Sequence, residues 1–206
     1  LIFAGEFLKL QSIEKVALAA LIFCVASSAT YILNDLTDIE RDRRHPKKSK
    51  SRPLASGLVS VTQAITLLLI LYVTLLAAWF VMSAVLYVVL GYLLLNLAYT
   101  FVLKHQPVID IFTIAIGFVL RVYAGAMALS VPVSSWMFVT TLCLALYLAA
   151  VKRGQELASN GSDSREVLQH YTPALIDRYA EMAATGALLF YSLFVMTARP
   201  EMVMTI

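Results

Sequence analysis

The stretch Asn34-Asp35-Leu36-Thr37-Asp38-Ile39-Glu40-Arg41-Asp42 sets several oxygen-bearing side chains at the end of an apolar run. On a continuing helix Asn34, Asp38 and Asp42 recur at i, i+4 and i+8 and drift by only about 80° around the axis, with Asp35 about 100° from Asn34. These four therefore share one stripe. Converging carboxylates repel unless something neutralises them. Hard oxygen donors of this kind suit Mg²⁺, which keeps several waters and is shared between one or two carboxylates and substrate phosphates. A basic cluster follows at once: His45-Pro46-Lys47-Lys48-Ser49-Lys50-Ser51-Arg52-Pro53. Metal-holding acids beside phosphate-holding cations read as a site for a diphosphate substrate. The cations have a second reading as the charge that keeps a loop on the inner face of a membrane and meets anionic lipid. The acids do not share it, because Asp contributes little to topology.

The elements that must position this motif are membrane helices. Of 206 residues 60% are hydrophobic and 14% charged, and the mean hydropathy is +0.80; a soluble domain carries about 25% charged residues. No Asp, Glu, Lys or Arg occurs in 16–34, 53–103 or 122–151, and windows of that length are read as membrane spans. Six spans are expected near 14–36, 60–82, 84–103, 109–129, 135–151 and 174–198, with the opening LIFAGEF as the end of an earlier helix. Alternation puts the connections 37–59, 104–108 and 152–173 on one face. That face collects Arg41, Arg43, Arg44, Lys47, Lys48, Lys50, Arg52, Lys104, Lys152, Arg153 and Arg165, against Lys9, Lys15 and Arg199 on the other. The positive-inside rule makes the first face cytoplasmic. Cys24 and Cys143 fall in apolar windows and the three histidines are scattered, so neither a disulfide framework nor a zinc site is indicated.

Two further groups carry charge. Arg121 lies near the middle of the 109–129 span, where insertion costs about 2.5–3.5 kcal/mol and marks a functional site or a buried pair. Asp110, about 16 Å along the same helix, is too far to pair with it, so Arg121 needs an anion from elsewhere: a lipid phosphate, or an acid on another helix. Lys104 closes its helix at the interface, where an anchoring Lys is ordinary. Asn96 and Tyr99 either line a cavity or bond between helices. Lys152 and Arg153 are expected at a helix end on the inner face, and Glu156 stands at i+4 from Lys152, the spacing of a helical ion pair.

NDxxDxxxD at a membrane-helix end, followed by His45-Pro46, Lys48 and Arg52 to Gly57, resembles the UbiA superfamily of intramembrane prenyltransferases. Tyr99 to Lys104, Asp110, and Gly117 to Arg121 resemble its decaprenyl-phosphate phosphoribosyltransferase branch. So do Lys152-Arg153-Gly-Gln-Glu156-Leu157, Arg165, Val167-Leu168 and Tyr171. The likeness covers nearly the whole chain. It implies an all-α polytopic bundle, a single domain over 1–206 with about six to seven of nine expected helices, incomplete at both ends. The implied reaction is Mg²⁺-dependent transfer of 5-phosphoribosyl from phosphoribosyl diphosphate to a polyprenyl phosphate, in the cell membrane and facing the cytoplasm. The resemblance also implies the roles. Asn34, Asp35, Asp38 and Asp42 hold Mg²⁺-diphosphate, the three acids being catalytic. Lys48, Arg52, Lys152 and Arg153 with Glu156 take the donor's phosphates, and Lys104 and Arg121, with Tyr99, take the lipid phosphate. The second Asp-rich motif of the aromatic prenyltransferases is absent: 152–173 offers KRxxEL and only Asp163, off that spacing.

Membrane lipid surrounds such a bundle, nucleic acid is not an implied partner, and homo-oligomerisation stays open. Two other classes remain. One is a prenyl-diphosphate-dependent prenyltransferase using the same acids; the other is a transporter, whose intramembrane charges would mark an ion path.

Overall fold

The structure, a computed structural model, describes residues 4–45, 48–160 and 166–198, and among these it is helical, with no strand. The principal helices are α1 (Leu10–Arg44), α4 (Val61–Phe101), α5 (Ile109–Leu129), α6 (Ser135–Asn160) and α7 (Pro173–Ala198), all long and apolar enough to cross a membrane. Two short helices, α2 (Lys48–Ser51) and α3 (Pro53–Ser56), lie between α1 and α4. This is a polytopic membrane fold.

Five helices stand where six spans are expected. The second and third expected spans are the two arms of α4, interrupted at Met82 (φ −147°, ψ 57°), where the expected spans 60–82 and 84–103 meet. Trp79 and Tyr87 meet edge to face across this break, 4.8 Å between ring centroids. Each arm is about 30 Å long, the thickness of a bilayer core. The charged helix ends extend beyond the apolar runs. α1 continues from the expected end at 36 to Arg44, and α6 from 151 to Asn160, because i,i+3 ion pairs sustain the helix after the apolar residues stop. The described part of LIFAGEF is turn and not the end of a helix, with Gly5 at φ +70°.

The chain forms two compact units. The first is Leu1–Thr100 with Met127–Leu129, the second Phe101–Ala126 with Ser130–Ile206. In the first, α1 buries Ala19, Ile22, Phe23, Ala26 and Ala29, and α4 buries Val85, Leu86, Val88, Val89 and Tyr92. Phe23 and Tyr92 pack at 4.8 Å, and Ser27 Oγ lies 3.3 Å from the Tyr92 hydroxyl. The alanines on α1 permit the close approach on which packing in lipid depends. α2 and α3 lie against α1. Pro53 opens α3 and Gly57, at φ +80°, closes it, the ordinary asymmetry of helix ends.

In the second unit α6 and α7 pack along each other. Trp136 stacks on Phe190, and Gly186 faces Cys143 so closely that a Cβ would lie 3.0 Å from Sγ. The core comprises Ile111, Ala149, Ala150, Val167, Leu168, Tyr171 and Ile176. Overpacking of such a contact costs about 1–3 kcal/mol. Gly186→Leu is therefore expected to lower the melting temperature in detergent, with Cys143→Ala close to wild type. An unchanged melting temperature in Gly186→Leu would show that the α6–α7 seam is not tight.

Candidate functional site

The acidic stripe takes the helical form that the spacing requires. Asp38 and Asp42 are only 8% and 4% exposed, and each has a cation against it. Arg41 donates to Asp38 at 2.7 Å, and Lys48 Nζ lies 3.4 Å from Asp42. Arg52 donates to Asp35. Arg41, Arg43 and Arg44 occupy the last turn of α1, where cations answer the negative end of the helix dipole, and Arg43 also pairs with Glu40 at 3.1 Å. His45 caps the exit: its Nδ1 accepts the Lys48 amide at 3.4 Å and its carbonyl accepts that of Ser49 at 3.0 Å. Those bonds start α2, and the basic segment then folds back so that Lys48 and Arg52 reach the acids. Asn34 is half-buried, one turn before Asp38. Pro46 and Lys47 lie outside the described residues.

These residues suit Mg²⁺ by donor chemistry: carboxylate and amide oxygens on one stripe, half-buried to buried. Among the described residues no three His, Cys, Asp or Glu side chains converge to hold a metal by themselves.

A second polar cluster lies inside the core of the other unit. Asp110, fully buried, accepts from Arg153 Nε at 2.7 Å through one oxygen and from the Tyr171 hydroxyl at 2.7 Å through the other. Arg153 also donates to Glu156 at 2.7 Å. The Tyr171 oxygen in turn accepts the Val108 amide at 2.6 Å. Val108 sits at φ +68°, a conformation that costs a β-branched residue on the order of 1–3 kcal/mol. Burial and the neighbouring Asp110 carboxylate both push the Tyr171 phenol up, so it stays protonated as the donor.

This cluster corrects one expectation, the partner of Glu156. Arg153 is 1% exposed and engaged by two carboxylates, which makes it an ion of the core. Glu156 pairs with Arg153 one turn back at i,i+3, where Lys152 was the expected partner, and Lys152 stands exposed on α6. Asp110 and Tyr171, which sequence reasoning quoted without a role, turn out to be the centre of the cluster. The available signal was an acid and an arginine, each at the edge of an apolar run and each needing a counter-charge.

Three candidates remain. Lys104 is half-buried in a 3₁₀ turn, Leu103–His105, which packs against a second turn, Glu166–His170. Arg121 is half-buried on α5 with its guanidinium 4.9 Å from the Phe118 ring centroid, a cation–π contact. Tyr99 is half-buried in the second arm of α4. Asp163 and Arg165 lie outside the described residues.

Removing one partner of a buried ion pair costs about 3–5 kcal/mol, whereas replacing both by apolar groups is often neutral. Asp110→Leu should thus lower thermal stability more than the double variant Asp110→Leu/Arg153→Met. Equal melting temperatures for the single variant and wild type would remove the pair from the core's energetics.

A model of the UbiA prenyltransferase family matches residues 3–205. The chain is 36% identical over 188 residues to a decaprenyl-phosphate phosphoribosyltransferase of Mycobacterium tuberculosis, an overlap of 89% of this chain and 62% of that protein. A protein of the same name from Corynebacterium glutamicum is 35% identical over 190 residues, 89% and 57% of the two chains. The nodulation protein NoeC of Azorhizobium caulinodans is 30% identical over 190 residues, 86% and 60%. The chain spans about three-fifths of the length of the curated relatives it matches.

Proposed function

The chain belongs to the UbiA prenyltransferase family, and on that footing we propose that it transfers 5-phosphoribosyl from phosphoribosyl diphosphate to a polyprenyl phosphate and releases diphosphate. The observation that carries this reading is the closure of Lys48 and Arg52 onto the acidic stripe of α1. It assembles metal-type oxygens and phosphate-type cations at one place. Similarity to enzymes named decaprenyl-phosphate phosphoribosyltransferase supports this choice of transferred group and acceptor.

Asn34, Asp35, Asp38 and Asp42 would hold Mg²⁺, which when bound neutralises the diphosphate leaving group. Lys48 and Arg52 bind the diphosphate oxygens, and exposed Lys152 adds positive charge for the donor's phosphate. Lys104 and Arg121 hold the acceptor phosphate, and Tyr99 orients it. The acceptor oxygen forms the new bond to the anomeric carbon as the bond to diphosphate breaks. A phosphate monoester is already anionic at neutral pH, so no general base is required. The barrier lies in leaving-group charge and in positive charge developing at the sugar, both eased by preorganised ions. The charge asymmetry of the loops supports a site on the cytoplasmic side of a cell membrane.

Ribose-labelled phosphoribosyl diphosphate and a polyprenyl phosphate should give labelled lipid, dependent on Mg²⁺. Asp38→Asn should remain folded in detergent and fall below about a tenth of the wild-type rate, a barrier increase above about 1.4 kcal/mol. Labelled lipid arising only from a prenyl diphosphate would replace the donor assignment, and near-normal turnover in Asp38→Asn would remove the metal role of the stripe.

A further inference from the structure

The connection between α4 and α5 is held in a strained shape by one hydroxyl. The Ile109 amide bonds back to the Pro107 carbonyl at 2.8 Å across Val108, which has φ +68°; this is the rarer, positive-φ form of a γ-turn. Strain of that kind persists only where the surroundings over-determine it. Here the surroundings are explicit. The Val108 amide donates to Tyr171 Oη, Tyr171 donates to Asp110, and Asp110 is anchored by Arg153. The carbonyl of Val108 accepts the Phe112 amide at 3.1 Å and so begins α5. On the other side of Pro107, the amides of His105 and Gln106 close the 3₁₀ turn on Val102 and Leu103. That turn carries Lys104.

We infer that Tyr171 and Asp110 are positioning residues for Lys104, fixing the 102–108 connection so that its lysine meets the lipid phosphate in a set geometry. The inference rests on the role proposed above for Lys104. Packing alone does not ask for this chemistry. A Phe at 171 would fill the same core volume, and an apolar replacement of a buried ion pair is often no less stable. The hydroxyl and the buried acid are spent on a strained peptide in the connection that carries the proposed ligand. Asp110 and Tyr171 touch no substrate in this scheme; they act through the backbone.

Tyr171→Phe keeps the ring and deletes the link. In the full-length protein in lipid nanodiscs, amide exchange in a peptide covering 102–110 should accelerate, with the α6–α7 peptides unchanged. The KM for polyprenyl phosphate should rise about tenfold, with kcat and the KM for phosphoribosyl diphosphate within about twofold. Adding Val108→Gly, which adopts positive φ without a Cβ penalty, should bring the acceptor KM back towards wild type. In a Lys104→Ala background Tyr171→Phe should have no further effect on that KM, as residues acting through one another are non-additive. Wild-type exchange at 102–110 in Tyr171→Phe overturns the positioning role whatever the kinetics. Faster exchange with a wild-type acceptor KM overturns its link to the lipid phosphate. A wild-type acceptor KM in Lys104→Ala removes the assignment of Lys104 itself, and the functional half of this inference with it, while the exchange data still report whether Tyr171 holds the connection.

Discussion

Charge placed in an apolar helical bundle has to be answered by charge, and this requirement organises both units. An isolated ion in a low dielectric is costly, so buried charges are paired and hydrogen-bonded. Asp110 and Arg153 meet that condition in the second unit, each with more than one partner. In the first, α1 carries three aspartates on one stripe, and α2 and α3 return Lys48 and Arg52 to it. The fold around each group follows. α1 extends past its apolar run because Arg41 and Arg43 pair with acids one turn back. The 102–108 connection takes its shape because a tyrosine is shared between a carboxylate and a peptide.

The two clusters use the same side chains under different access to water. The Arg153 side chain is 1% exposed and that of Asp110 0%, whereas those of Arg52 and Lys48 are 36% and 25% exposed. A guanidinium without water around it cannot exchange its partner for a phosphate without first passing through an unpaired state. One at the surface can, because water screens the intermediate arrangement and the pair itself is worth little there. Accessibility, more than residue type, separates the arginine suited to a ligand from the arginine that holds helices together.

That distinction explains what was legible in the sequence. The membrane class, the helix positions and the acidic stripe follow from long uncharged windows and from i, i+4, i+8 spacing, both of which are local. The break at Met82 was readable as a boundary between two spans because the apolar sequence there is two bilayer lengths long. The closure of Arg52 onto Asp35 was readable as an association of acids and cations, since only 17 residues separate them. The Arg153–Asp110 pair was unreadable because Asp110 lies 43 residues away in another helix, and nothing local distinguishes a core arginine from an interfacial one. Tyr171 was unreadable for the same reason: its hydroxyl acts on a peptide 63 positions earlier.

The long-range bonds concentrate where local preference is violated. Val108 has a β-branched side chain in a left-handed conformation, which no local signal favours, and there a bond from distant sequence supplies the difference. Elsewhere in the helices the side-chain hydroxyls of Thr30, Thr113, Thr140 and Thr141 bond to carbonyls three or four residues back and need no tertiary partner to be satisfied. A buried hydroxyl that instead reaches across the fold to a strained amide is unusual by that standard. Conflict between local propensity and global structure is expected where a position serves something other than stability, and in this chain that position adjoins the lysine proposed to hold the lipid phosphate.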